Sequence, residues 1–375
     1  MSCPRCDGGV RFKRVTSRTL VSCVGEVTVR RRCGYCPRCR GGVVAFDRWA
    51  GLKRGALTPK GRRMAVLAGT RTSYDTASED LRELCGIKLS DQSIRRACDG
   101  AGREAKTYLE QSPQATAAVE RAQGQVEVSL DGAKVNTTEG WREIRGVLLG
   151  KRQPAAPADL RHWDDRTLPE QGARLAWAAI AEAREVGEKM HVLAERLELG
   201  WGKGVSGLAD GAPWIWTQLR THLPDHEGCL DVYHLLEHFH AAARVLHGEG
   251  DAAKLWAEQQ RALLFRLGAK KYLRRQLLPA AREARRANAQ SDKSQALRSL
   301  LNYLWSHRGR MGYRDRLRRG LPIGSGQIEG FCKSTLNRRL RLNNARWLPQ
   351  SADHMAALCC LHTSKQWENF WSRVA

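Results

Sequence analysis

Two Cys-Pro-Arg-Cys knuckles, at residues 3–6 and 36–39, constrain this chain more than any other feature of its sequence. Two thiolates separated by two residues can grip one tetrahedral ion, and a second such pair completes the shell. Between the knuckles runs β-rich sequence, Thr19-Leu20-Val21-Ser22 and Glu26-Val27-Thr28-Val29. Knuckle, hairpin, knuckle is the layout of a zinc ribbon, expected here over residues 1–48 with Zn²⁺ on Cys3, Cys6, Cys36 and Cys39. Cys33 is the alternative to one of these ligands. A redox-active pair would normally occur singly and beside a βαβ unit, so two identical knuckles argue for metal. A module this small depends on its ion to fold. Cys85, Cys98, Cys229, Cys332, Cys359 and Cys360 lie in apolar contexts and are expected as small core residues.

Charge is the next constraint. The chain carries 63 Lys or Arg against 39 Asp or Glu, a formal net charge of +24 over 375 residues. The excess is segregated: residues 1–63 hold 16 basic and 3 acidic side chains, residues 261–319 hold 17 and 3, and the rest is slightly acidic. Solubility does not require such clustering, whereas neutralising phosphates rewards it. A polyanion, and nucleic acid in particular, is the expected partner. With 42% apolar and 27% charged residues the chain reads as globular. No stretch has the apolar length of a membrane span, and Met1-Ser2-Cys3-Pro4-Arg5-Cys6 has no signal-peptide core. A cytoplasmic protein without a membrane partner is expected.

From Thr58-Pro59 to about Gly102 the pattern is helical, with Pro59 suited to a first turn. A short helix carries Ala77, Leu81 and Leu84, Cys85-Gly86 breaks it, and Ser90-Asp91-Gln92-Ser93 caps another through Ile94, Ala97 and Cys98. Two helices joined by a Gly-containing turn match a helix-turn-helix, whose second helix would present Gln92, Ser93, Arg95 and Arg96. A small helical linker domain is the plainer alternative. Residues 49–120 are assigned to this module, with a polar linker at about 111–124.

Residues 121–375 read as an α/β domain. Val126, Val128 and Leu130 alternate along a strand that Asp131 is expected to end, and a second strand covers about Arg142–Leu149. Residues 168–199 read as one long helix, with Leu175, Ile180, Val186, Met190, Leu193 and Leu197 on a stripe. A strand Val205–Ala209 then ends at Asp210-Gly211, a helix carries Trp214 to Leu219, and a strand Cys229–Val232 includes Asp231. Residues 235–320 read as a helical, arginine-rich insertion.

Metal-assisted phosphodiester chemistry needs carboxylates that converge on two ions, and oxygen ligands suit Mg²⁺ or Mn²⁺. Asp131 and Asp210 qualify as strand-end aspartates followed by glycines that would let a phosphate backbone approach. Either one alone is equally a turn-forming Asp-Gly. Glu329, in Gly324-Ser325-Gly326-Gln327-Ile328-Glu329-Gly330, could simply complement a helix dipole and pair with Lys333.

The combination resembles the Mutator-like DDE transposases of bacterial insertion sequences, which have an RNase H-like core. The matching pieces are Ser129-Leu130-Asp131-Gly132, Leu208-Ala209-Asp210-Gly211-Ala212-Pro213-Trp214-Ile215-Trp216, Leu230-Asp231-Val232-Tyr233-His234 and Pro322-Ile323-Gly324-Ser325-Gly326-Gln327-Ile328-Glu329-Gly330. Arg346-Trp347 and the closing Trp367-Glu368-Asn369-Phe370-Trp371 fit too, so the resemblance covers most of the chain. It implies that Asp131, Asp210 and Glu329 are catalytic and hold two Mg²⁺ or Mn²⁺. Asp231 and His234 match a signature of Asp or Cys followed three residues later by His, acting around the site or on DNA. Val232 stands where that signature has an aromatic residue. Asp231 also ends a strand and is the rival second aspartate. Assembly as a homodimer or higher oligomer on two element ends is implied by the resemblance alone.

The expectation is thus α/β: an RNase H-like catalytic core with an α-helical insertion at 235–320, preceded by a zinc ribbon and a helix-turn-helix. It would cleave double-stranded DNA at element ends and join the strand to a target. Arg95, Arg96, Lys333, Arg338, Arg339 and Arg346 are its candidate DNA-binding residues. Two alternatives stand: a zinc-dependent DNA-binding protein without catalysis (a regulator or inactivated transposase), and a nuclease that cuts without joining.

Overall fold

The structure, a computed structural model, describes residues 2–53 and 55–374. It is mixed α/β and folds as two compact units. The first comprises Met1–Gln111, Asn136–Glu139 and Arg338–Ala375; the second comprises Ser112–Val135 and Gly140–Asn337. Among the described residues no helix is long and apolar enough to cross a membrane.

The first unit begins with an antiparallel sheet of three strands in the order β1-β2-β3: β1 Arg11–Ser22, β2 Gly25–Cys36 and β3 Gly41–Val43. The β1/β2 hairpin closes on Cys23-Val24, where Gly25 takes a φ of +103° that a residue with a side chain would resist. One hairpin face is half-buried, and there Asp47 Oδ2 receives both Arg18 (2.9 Å) and Arg31. After the short helix Ala45–Trp49 come three longer ones, Pro59–Arg71, Tyr74–Cys85 and Asp91–Gln111. Thr58 caps the first through Gly61 N (3.1 Å) and Ser73 the second through Thr76 N (3.1 Å), each worth about 1 kcal/mol. Gly86, at φ +65°, ends the second in the left-handed cap conformation.

The tail 338–375 belongs to this unit and not to the sheet unit, so the sequence boundary at 121–375 differs from the observed one. The reason is packing. Helix Pro349–Thr363 buries Ala352, Met355, Ala356, Leu358, Cys359 and Leu361 around its whole girth, so it must be covered on all sides. Its cover includes the small-residue face of helix Asp91–Gln111, where a Cβ on Gly102 would lie 2.3 Å from the His354 carbonyl oxygen. The segment read as a linker is a helix, Pro113–Arg121, with Ala115, Thr116 and Val119 buried.

The second unit is organised by a mixed sheet of five strands in the order β6-β5-β4-β7-β8. Here β4 is Gln125–Thr137, β5 Gly140–Arg152, β6 Ala173–Ile180, β7 Val205–Ala209 and β8 Glu227–Leu230. β6 runs antiparallel to β5, whereas β7 is parallel to β4 and β8 to β7. Two sequence expectations change. The long helix read at 168–199 is a strand, β6, followed by helix Ala183–Arg196. Ala173–Ile180 has helix-forming composition, but eight residue pairs with β5 bury it, and a strand buried on both faces shows no alternation. Asp131 does not end its strand, because β4 continues to Thr137.

Between residues 232 and 318 every regular element among the described residues is helical, from Val232–His247 to Tyr313–Arg318. Phe239, Phe265, Tyr272 and Tyr313 form the aromatic core of this insertion. Its end is tied to the sheet by Arg316, only 1% exposed, which donates to Glu227 Oε1 on β8 (2.8 Å), Ser206 Oγ on β7 (3.0 Å) and the Pro322 carbonyl (2.9 Å). Lys270, Lys271, Arg274, Arg275, Arg282, Arg285 and Arg286 are exposed, so the basic block does form a solvent-facing surface.

Candidate functional site

Each N-terminal knuckle is a tight turn whose second cysteine is followed by a residue in the left-handed conformation, Asp7 at φ 55° and Arg40 at φ 54°. The turns bring Cys3, Cys6, Cys36 and Cys39 together, with all four sulfurs within 4.8 Å of one another. Cys3 Sγ lies 3.5 Å from Cys39 Sγ and Cys6 Sγ lies 3.6 Å from Cys36 Sγ. Those separations are too long for disulfides and close to the roughly 3.8 Å edge of a tetrahedron with 2.3 Å metal–sulfur legs. The Cys39 backbone N–H helps hold the Cys36 thiol down near 7, while Cys39, facing Cys3, is pushed up to about 11. The quartet could hold a zinc ion. Cys33, the alternative ligand, lies outside it and its sulfur is 3.1 Å from Thr16 Oγ1.

The carboxylates lie at the sheet of the second unit. The β4/β7 register ends on Ser129 and Leu208; Asp131 and Asp210 each lie two residues beyond that pair, and the charge of Asp210 acts on Asp131. Asp131 Oδ1 accepts from Gly132 N (2.7 Å). Burial, reinforced by the charges of Asp210 and Glu329, raises the Asp131 carboxyl to about 6 against the pull of Gly132 N–H and the Cys332 thiol. The Asp210 turn is held by Ala212 N on Oδ1 (2.8 Å) and by Trp216 Nε1 on its carbonyl (2.7 Å).

Glu329 sits in a short helix, Gly326–Gly330, that widens to π-helical geometry over Phe331–Asn337. Such widening is frequent at functional sites. Cys332, which hydrogen-bonds to Asp131, lies one turn beyond Glu329 and so links the glutamate's helix to β4. Glu329 accepts from Ser325 Oγ (3.2 Å) and Lys333 Nζ (2.9 Å), with His234 Nε2 at 3.8 Å. Burial would raise this carboxyl, but Lys333, Ser325 and His234 together bring it below the usual glutamate value.

Asp231 is 1% exposed and has both oxygens occupied. Oδ1 caps helix Val232–His247 through Tyr233 N (2.7 Å) and His234 N (3.0 Å), and Oδ2 accepts from Ser325 N and Ser325 Oγ (2.9 Å). It therefore links the start of that helix to the loop carrying Glu329, and no oxygen is left over for an ion. Among the described residues only the cysteine quartet brings three or more potential ligands within 4.8 Å of one another, so the three carboxylates are not packed as ligands of a single ion.

The glycines do not open the approach to the aspartates as expected. A Cβ on Gly132 would lie 2.4 Å from Glu143 Oε1, and one on Gly211 would lie 2.6 Å from the Tyr303 ring. Tyr303, on helix Asp292–His307 of the insertion, stacks on His238 with centroids 3.6 Å apart. Burial and the nearby Asp210 hold its hydroxyl well above the usual tyrosine value, and among the described residues that oxygen has no hydrogen-bond partner.

Of the residues expected to face DNA, Arg95, Arg96, Arg338 and Arg346 are exposed. Lys333 is exposed but paired with Glu329. Arg339 is not a surface residue: it is 3% exposed, between the rings of Tyr74 (4.7 Å) and Trp347 (4.8 Å). Its flat guanidinium packs as an aromatic plane would, which charge counting along the sequence does not reveal. No protein-family model matches the chain, and neither does any curated protein.

Proposed function

We propose that this chain is a DNA transposase of the DDE type with an RNase H-like core, using Asp131, Asp210 and Glu329 to bind two Mg²⁺ or Mn²⁺. The observation that carries the reading is that Asp131 on the central strand and Asp210, just past the end of the adjacent parallel strand, lie close enough for the charge of one to act on the other. The strand order β6-β5-β4-β7-β8, with three parallel strands and two forming an antiparallel edge, supports the same core. So does a helical insertion between the second aspartate and the glutamate.

The residues fit the ions chemically. Their donors are carboxylate oxygens, and the raised Asp131 marks negative charge that a cation would neutralise. Two ions about 3.5–4 Å apart also need ligands spread more widely than one ion does. When bound, such ions activate an attacking oxygen and stabilise a leaving one. The chain's own contribution is positioning. Asp231 fixes Ser325, Ser325 holds Glu329 Oε1, and the Cys332 thiol orients Asp131. Lys333 balances Glu329 and can release it to an ion. Zn²⁺ in the cysteine quartet completes the N-terminal ribbon, the Tyr74–Cys85 and Asp91–Gln111 helices are a helix-turn-helix that contacts double-stranded DNA, and the protein acts in the cytoplasm as an oligomer on two element ends.

A strand-transfer assay with Mg²⁺ and DNA flanking the coding region tests the proposal. Cleavage and joining are expected, both lost in Asp131→Ala, Asp210→Ala and Glu329→Ala while DNA binding persists. Cutting without joining would instead identify a nuclease, and binding without cutting a regulator.

A further inference from the structure

The first unit contains a cavity of about 350 Å³, within the size range of small-ligand sites, roughly 300–1,000 Å³. It opens at the first turns of two helices, at Ser73, Tyr74 and Asp75 of one and at Asp91 and Arg95 of the other. Helix starts present unpaired backbone N–H groups and a positive dipole end, a setting that favours anions. Arg339 forms part of the wall, with Arg346, Trp347, Asn343 and Asn344 beside it.

Arg339 is the reason to look for a ligand. Its Nε donates to the Gly69 carbonyl (2.6 Å), but among the described residues Nη2 has no hydrogen-bond partner. Burial lowers its pKa, and the groups acting in the opposite direction are Tyr74, Cys98 and Cys359, none of them a carboxylate. A guanidinium held out of water without a counter-anion is costly, and its planar fork matches the oxygens of a phosphate. Arg95 and Arg346 add two exposed cations at the same cavity. Asp75 and Asp91 oppose an anion there, but both are solvent-exposed in first turns, where water and salt screen them.

We propose that this cavity binds the phosphate of a nucleotide unit, with Arg339 as the buried anchor and Arg95 and Arg346 as the outer clamp. The space beyond the phosphate takes its sugar, and the source is either a DNA strand or a free nucleotide. The inference rests on the cavity and its arginines and does not depend on the carboxylate reading.

The test is isothermal titration of the full-length protein at constant ionic strength with inorganic phosphate, deoxyadenosine monophosphate and a short single-stranded oligonucleotide. Binding is expected to weaken about tenfold or more in Arg339→Gln, as for loss of a hydrogen bond to a charged group. Because Arg339 is buried, the exposed pair Arg95→Gln/Arg346→Gln serves as a second variant that leaves the core untouched, with a loss of the same order expected. A thermal melt adds a second signature: a saturating probe should raise the melting temperature of the parent chain more than that of either variant. Tighter binding of the oligonucleotide than of the mononucleotide assigns the site to a strand, and the reverse assigns it to a free nucleotide. No binding of any probe, or equal affinities in parent and both variants, overturns the proposal.

Discussion

The raised carboxyl of Asp131 makes a quantitative prediction about the ion-free protein. Burial and the neighbouring carboxylates lift it from 3.8 to about 6 in the folded chain, a displacement worth about 3 kcal/mol. Since the folded state holds this proton more tightly than the unfolded state, the group's contribution to stability is fully present below pH 3.8. It is lost as pH rises through about 6, and above that the ionised carboxylate works against folding. Asp131→Asn keeps an oxygen to accept from Gly132 N–H and removes the charge. In magnesium-free buffer it should therefore stabilise the protein at pH 8, by up to about 3 kcal/mol, and do nearly nothing at pH 4. The measurement is urea unfolding of both proteins at the two pH values, without chelator so that any cysteine-bound metal stays in place. The difference of differences isolates this carboxyl. Adding Mg²⁺ at pH 8 should then stabilise the parent chain and leave Asp131→Asn unmoved. A variant less stable than its parent at pH 8 would refute the argument, because it would mean that Asp131 makes favourable contacts as an anion that outweigh its burial and its neighbours.

Three further outcomes are expected. The parent chain is expected to carry one zinc ion by elemental analysis; Cys36→Ser should carry none and unravel the β1–β3 sheet, since structural zinc in small modules supplies about 10–16 kcal/mol, whereas Cys33→Ser should match the parent. Ser325→Ala removes the donor shared by Asp231 and Glu329, so unfolding should become easier by about 1–3 kcal/mol and DNA cleavage should fall even where the protein stays folded. Arg316→Met should cost about 1–3 kcal/mol in a denaturation experiment, because it takes the donor from the buried Ser206 hydroxyl and the Pro322 carbonyl, while Glu227 keeps Arg319.

How legible the molecule was in its sequence depended on the range of the interactions concerned. The knuckles were readable because four thiols with such spacing have few other uses, and turn geometry within each knuckle does most of the assembly. The start of β4 showed its alternation because the residues between Val126, Val128 and Leu130 are polar, although Glu127 and Ser129 are buried as well. Ala173–Ile180 did not, because both of its covered faces are apolar and such a strand looks like a helix to any local reading. The rivalry between Asp210 and Asp231 could not be resolved from spacing either. Nor does spacing show that hydrogen bonds from Ser325, 94 residues away, occupy Asp231 Oδ2.

The sequence by itself determined the chemistry on offer: which residues can ligate, which stretches are cationic, and which aspartates stand next to glycines. Those are local properties of residue type and period, and they survive in an unfolded chain. Only the tertiary structure decided which groups face one another. Strand register put Asp131 beside Asp210, and helix packing drew the C-terminal tail into the N-terminal unit and sank Arg339 between two rings. Contacts between distant segments are set by burial of shared apolar faces, and no short stretch of sequence contains both partners.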